Sequence, residues 1–259
     1  MKKRIMAAAA ISALILAATA CGGNQPAATT TTAATTAAPE EGIMSHADYA
    51  AADLEAEVKV YTYVQAKQGW WEKEGTGGVA TFYTQAQDGA YFIYDMPCSK
   101  EDYDKMTPGT KIKVTGYKVE WEGEVEIMDA KYEIIDGDTF TAVAYDVTDL
   151  LGKDELIDHQ NELVSFKGMK VEAKKDADGN DAAFLYSWDG SGEDGSDLYF
   201  DVSKDGKTYT FTVESYLCGK DTDVYKAVKS LQIGDTIDME GFLYWYKGVN
   251  PHITSVTKV

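Results

Sequence analysis

From Val58 onward the apolar residues of this chain recur at every second position in short stretches. Val58, Val60 and Val64 alternate with Lys59, Tyr61 and Tyr63, and the same spacing returns at Ile112 and Val114 and at Ile237 and Met239. A period of two puts neighbouring side chains on opposite faces of an extended backbone, so each stretch predicts a strand with one buried face. Two of these strands are framed alike. Gly109, Gly116 and Gly123 enclose one and the hairpin after it, and Gly234, Gly241 and Gly248 enclose the other at identical spacing. The first glycine of each set suits the turn into the strand. The second suits a bend or bulge where a side chain would clash, and the third suits a hairpin turn. The chain therefore reads as one unit used twice.

The first unit, residues 44–139, opens with a short helix from Ser45 to Glu55, capped by Ser45 with Asp48 three places on. Strands follow over Val58–Val64, Val79–Gln85 and Ala90–Tyr94, with Asp88-Gly89 as a turn. A helix from Ser99 to Met106 precedes the glycine-framed strand, and Glu124–Ile135 closes the unit. The second unit, residues 140–259, repeats the order. Its strands are Leu163–Val171, Ala182–Trp188, a longer third element made of Leu198–Val202 and Lys207–Val213, the glycine-framed strand, and Ile253–Val259. A helix over Asp221–Leu231 precedes the fourth strand.

Five strands with a helix between the third and fourth is the order of an OB-fold barrel. The chain resembles tandem OB-fold lipoproteins of clostridial-type bacteria. The resemblance covers about residues 44–259 and rests on the paired glycine frames, on Tyr91-Phe92-Ile93-Tyr94-Asp95 and on the strand order. It implies an all-β protein with short helices, built as two five-stranded barrels, and it implies no settled activity. A nucleic-acid-binding role would follow from fold analogy alone.

The first residues belong to neither unit. Residues 1–20 carry Lys2, Lys3 and Arg4 before an apolar run, and Ala18-Thr19-Ala20-Cys21-Gly22 resembles a bacterial lipobox, with Ala18 where leucine is usual. This predicts a signal peptide, a lipidated Cys21, anchoring to a membrane through that lipid, and an extracytoplasmic location. Residues 21–43 are rich in Ala and Thr and lack the large apolar side chains that repay ordering, so they are expected to act as a disordered tether.

With 43 acidic and 24 basic residues, the formal charge is −19. Such a surface repels phosphate backbones and speaks against a nucleic-acid partner. Cys98 and Cys218 occupy matching places in the two units and have no metal-type spacing, which points to two buried thiols. His46, His159 and His252 are scattered, and no nucleophile-and-base, phosphate-loop or dinucleotide motif is present. Glu124 and Glu126 share one strand face opposite Val125 and Ile127, a pattern expected of a solvated face. The acids of 176–181 lack the glycine and glutamate positions of a calcium loop and suit a turn, while 189–197 is a weaker calcium candidate. No cofactor or metal is therefore assigned.

Aromatic residues are the strongest lead. The chain has 17 Tyr and 5 Trp, and OB-folds bind along strands two and three and the flanking loops. Candidate contacts are Trp70, Trp71, Tyr83, Tyr91 and Ile93 in the first unit. In the second they are Tyr199, Tyr244, Trp245 and Tyr246. The reading is a non-catalytic protein that binds a protein, peptide or glycan at the cell surface. A nucleic-acid binder is the alternative, and an unrecognised extracellular hydrolase the second alternative.

Overall fold

A computed structural model describes residues 42–75 and 77–259. The residues read as a signal peptide, Cys21 and most of the segment read as a tether lie outside them. Residues Glu40–Val259 form one compact unit that contains both barrels.

The first barrel comprises β1 (Glu57–Lys67), β2 (Val79–Ala86), β3 (Gly89–Pro97), β4 (Lys111–Trp121) and β5 (Glu124–Ile135). Its strands close in the order β1-β2-β3-β5-β4, with β3 and β5 parallel and the other neighbours antiparallel. The second comprises β6 (Leu163–Glu172), β7 (Leu198–Lys204), β8 (Lys207–Val213), β9 (Thr236–Phe242) and β10 (His252–Lys258). It closes in the same order, β6-β7-β8-β10-β9, again with the third and fifth strands parallel. The protein is thus all-β with short helices, built of two tandem OB-fold-like barrels.

Periodicity fills each barrel. Val58, Val60, Phe82, Ile93, Ile112 and Ile127 point into the first core. Phe166, Phe200, Phe211, Ile237, Met239 and Ile253 fill the second. Helix α1 (His46–Ala51) is started by a capping box between Ser45 and Asp48. At its other end the buried Lys118 ammonium donates to the carbonyls of Tyr49, Ala50 and Ala52 at 3.1, 2.8 and 2.8 Å. A cation there satisfies carbonyls the helix leaves open and complements its dipole. Helices α2 (Lys100–Lys105) and α3 (Asp223–Lys229) each join the third and fourth strands, and α3 buries Val224, Tyr225 and Val228.

The middle glycines sit at bulges in β4 and β9. A Cβ on Gly116 would lie 2.6 Å from Ile127 Cγ2 and 2.7 Å from the Met128 carbonyl oxygen. On Gly241 it would lie 2.3 Å from the His252 carbonyl oxygen. The bend therefore depends on backbone approaching backbone, which only glycine permits.

Two expectations are corrected. In the second barrel the second and third strands are β7 and β8, joined at Asp205-Gly206, and Ala182–Trp188 is not a barrel strand. That segment contributes only short pairings, Asp181–Ala182 with Lys174–Lys175 and Leu185–Tyr186 with β7, inside a long excursion after β6. Its alternation was matched by a better one, because Leu198–Val213 offers two strands of equal length around a tight turn. Glu124 and Glu126 are not solvated: they are 0% and 5% exposed, because the second barrel covers their face of β5.

The barrels are joined by a separate aromatic core. Tyr83 of β2 and Phe92 of β3 pack against Phe242 and Tyr244 of the second barrel. The Tyr83 ring stacks on Phe242 with centroids 4.6 Å apart, and Phe92 meets Tyr244 edge-on at 5.2 Å. Because the interface buries large side chains from both barrels, they are expected to unfold together. Circular dichroism and tryptophan emission should report one coincident thermal transition. Gly241→Val should cost more than about 3 kcal/mol and shift both signals together. Two separated transitions in either protein would show that the barrels are energetically independent.

Candidate functional site

The hairpins framed by the third glycines meet tip to tip. Trp121 and Tyr246 hold equivalent places in the two copies, and their rings contact at 5.1 Å. Glu122 and Lys247 are likewise equivalent. The Lys247 backbone N–H donates to the Glu122 carbonyl at 2.7 Å, and their charged ends lie 3.8 Å apart. The Trp245 backbone N–H donates to Glu124 Oε2 at 2.8 Å, and Gln160 donates to the same oxygen at 3.1 Å.

This docking uses the two barrels unequally. In the first, Tyr83 pairs across strands with Phe92, and Phe92 pairs with Glu126. In the second, the same outward face of the corresponding strands places Tyr199 beside Thr212 and Thr212 beside His252. The first set is buried under the second barrel. The second set forms the floor of an open cleft of about 600 Å³. The loop after β9 supplies Tyr244, Tyr246, Lys247 and Asn250 to this cleft. Trp188 and Asp197 come from the excursion between β6 and β7, Glu214 follows β8, and Trp121 reaches in from the first barrel. Strands two and three with the loops after strands one and four make up the surface on which OB-folds take ligands.

The sequence candidates fall into three groups. Tyr199, Tyr244 and Tyr246 come together in the cleft. Tyr83, Tyr91 and Ile93 do not form a surface. Tyr91 and Ile93 face the core of the first barrel, Tyr83 faces the other way into the joint, and none is more than 1% exposed. Trp245 also turns inward, packing against the second core. In the loop after β1, Trp70 lies against the first core and donates its indole N–H to the Cys98 carbonyl at 2.9 Å, while Trp71 is 48% exposed away from the cleft lining. Trp121 and Trp188 were missed. Trp121 was discoverable, because it stands at the place in the first glycine frame that Tyr246 holds in the second. Trp188 sat in a segment read as a strand.

His252 is 7% exposed, and burial pushes its pKa down to about 3, so the ring is neutral. Its Nδ1 lies 2.7 Å from the Tyr83 hydroxyl, and Tyr244 stacks on its ring at 4.2 Å. Gln68 also donates to the Tyr83 oxygen, at 3.4 Å, so this hydroxyl links His252 to Gln68. The carboxylates of the cleft also serve the loops around it. Asp197 Oδ1 accepts from the Ser215 N–H at 2.8 Å, and Glu214 accepts from the N–H groups of Tyr216 and Leu217 at 3.0 and 2.8 Å. Burial still raises Glu214 to about 7.

Elsewhere, Cys98 and Cys218 are free and buried, and burial raises both thiols to about 11. Asp176 accepts from Asp178 and Asn180 in a turn, and Asp194 pairs with Lys229. Among the described residues no group of three or more metal-ligating side chains converges, and no helix is long and apolar enough to cross a membrane.

No family model matches the chain, and no curated protein matches it. Solved structures similar to it include a murine DNA-binding protein bound to double-stranded DNA. That likeness has 12% identity and a TM-score of 0.37, and covers 78% of this chain and 96% of the other. The p204 HINb domain is similar at 10% identity and a TM-score of 0.35, covering 80% of this chain and 100% of that domain. A replication protein A heterotrimer bound to single-stranded DNA is similar at 9% identity and a TM-score of 0.29, covering 77% of this chain and 49% of that one. Likeness at this level carries no argument about ligands, and the OB reading rests on the chain's own strand order.

Three buried carboxyls at the joint set a pH dependence. Burial raises Glu124 to about 8 and Glu126 and Glu214 to about 7. A carboxyl raised above its unfolded value stabilises the fold while protonated, and that contribution is lost as pH climbs through the folded value. The melting temperature should therefore fall by several degrees between about pH 5.5 and about pH 9. Glu124→Gln, which keeps the acceptor for Trp245, should flatten the profile. An unchanged slope in that variant would remove Glu124 from the account.

Proposed function

We propose that this protein is a non-catalytic binding protein whose site is the aromatic cleft of the second barrel, and that Cys21 carries a lipid that anchors it outside the cytoplasm. The observation supporting the first part is the asymmetry between the barrels. Two equivalent OB faces exist, one is consumed by docking, and the other is open and rimmed by exposed Trp121, Trp188 and Tyr246. Exposed aromatic side chains around a concave floor are typical binding anchors. A protein, peptide or glycan presenting a flat or compact group fits such a lining.

What the polar groups already do supports binding rather than catalysis. His252 is neutral and engaged with Tyr83, and Asp197 and Glu214 hold backbone amides. Neither buried thiol is ionised near neutral pH.

Nucleic acid is the second reading. Aromatic platforms stack bases as readily as they stack sugars. The observation in this chain that favours it is the row of rings on an OB face. The chain's charge of −19 weighs on the other side.

Tryptophan emission of the whole chain, titrated with panels of oligosaccharides, peptides and oligonucleotides, separates these readings. Trp188 is 73% exposed. Trp188→Ala should leave the melting temperature within about 2 °C, since surface changes usually cost under about 0.5 kcal/mol. It should also weaken the ligand about 10-fold or more. Trp70→Ala should do the reverse, lowering the melting temperature without changing affinity. Tight binding of an oligonucleotide alone would replace the first reading with the second, and binding insensitive to Trp188→Ala would move the site elsewhere. For the anchor, Cys21→Ala should release the protein from membranes or stall its precursor. A fully processed, membrane-bound variant would overturn the lipid assignment.

A further inference from the structure

The cleft combines aromatic faces with carboxylates. Trp121, Trp188, Tyr199, Tyr244 and Tyr246 supply rings around its mouth and floor. Asp197 and Glu214 are its two acidic residues, and Lys247 is its one basic residue. The remaining nitrogen base, His252, is neutral because burial holds its pKa at about 3. With Glu214 raised to about 7 by burial, the carboxylate that the lining sets against Lys247 is Asp197, on a protein whose formal charge is −19.

Ring faces carry the negative part of an aromatic quadrupole and attract cations, tryptophan most strongly. The chain already shows this at the rim: the Lys247 ammonium lies 5.2 Å from the Tyr246 ring centroid. That lysine side chain is 61% exposed, and its ammonium also lies 3.8 Å from Glu122 at the hairpin contact. It sits at the outer edge of the site. Asp197 has one oxygen, Oδ1, engaged with the Ser215 N–H, in a side chain that lines the cleft beside Tyr199. The volume of about 600 Å³ exceeds what a small ammonium group needs, so such a group would enter as the head of a larger molecule.

Building on the proposed use of this cleft, we propose that it captures an organic ammonium headgroup, quaternary amines above all, in an aromatic cage completed by Asp197. Aromatic faces hold a quaternary nitrogen without requiring a hydrogen bond from it, and Asp197 offsets its charge. A phosphate-bearing or acidic ligand would instead face Asp197, with a single lysine at the outer edge.

The test uses the whole chain and choline as probe, against choline's neutral isostere in which carbon replaces the quaternary nitrogen. Choline should saturate a change in tryptophan emission and bind at least about 10-fold more tightly than the isostere, the range of a desolvated cation–π contact. Asp197→Asn keeps the acceptor for Ser215 and should weaken choline several-fold. Lys247→Met removes the competing charge and should tighten it. Equal binding of choline and its isostere would overturn the proposal, as would weaker choline binding in Lys247→Met. If an oligosaccharide, acidic peptide or oligonucleotide binds in a Trp188-dependent manner and choline does not, the cleft stands as the site and the ammonium assignment fails. If choline binds and Trp188→Ala leaves it unchanged, both the cage and the cleft reading fail.

Discussion

The structure depends on the hydrogen bond between Tyr83 and His252 inside the apolar joint of the two barrels. Each residue is buried, and losing either removes a hydrogen-bond partner from the other. Burial keeps the histidine neutral. Around that bond Phe92, Phe242 and Tyr244 contribute apolar area, while Gln85 accepts from the Leu163 N–H at 2.9 Å and fixes where β6 begins. The relative position of the barrels is thus set by directional contacts embedded in a non-directional one.

The same joint determines which surface is left for a ligand. Duplication produced two barrels with the same strand order and two equivalent faces, and packing them together in this way spends one face. Glu126 on the first barrel and His252 on the second each lie on the fifth strand, opposite a residue of the third. One is buried beneath the partner barrel, and the other reaches both the joint and the cleft. The floor of the cleft is therefore continuous with the joint, and anything that loosens the joint changes the shape of the site. Glu124 extends the coupling. It accepts from Trp245 and Gln160 through one oxygen, while its other oxygen, like the Tyr49 hydroxyl, has no partner among the described residues. An ionised carboxylate there is costly, which ties the joint to proton concentration.

Much of the fold was legible in the sequence because it rests on local rules. Period-two alternation placed most of the strands, the Ser45 and Ser99 caps placed two helices, and the glycine frames marked both the duplication and the bends. The frames were informative because backbone meets backbone at Gly116 and Gly241, a demand no other residue meets. Alternation alone made barrel strands of both Ala182–Trp188 and Leu198–Val213, whereas pairing partners admit only the second.

Residue type and spacing thus determined the strands, the bends and the repeated order of the barrels, each being a property of a few adjacent residues. They also singled out aromatic side chains as the material of a site. Tertiary structure alone decided which aromatics remain accessible. Tyr83 and Tyr199 follow the same pattern on matching strands, yet one is buried at the joint and the other lines the cleft. Likewise Glu124 and Glu126 have the alternation of a solvated face and are buried. The physical reason is that a strand's period records how many of its faces are covered by its own barrel, and carries no record of a second barrel docking on the outside.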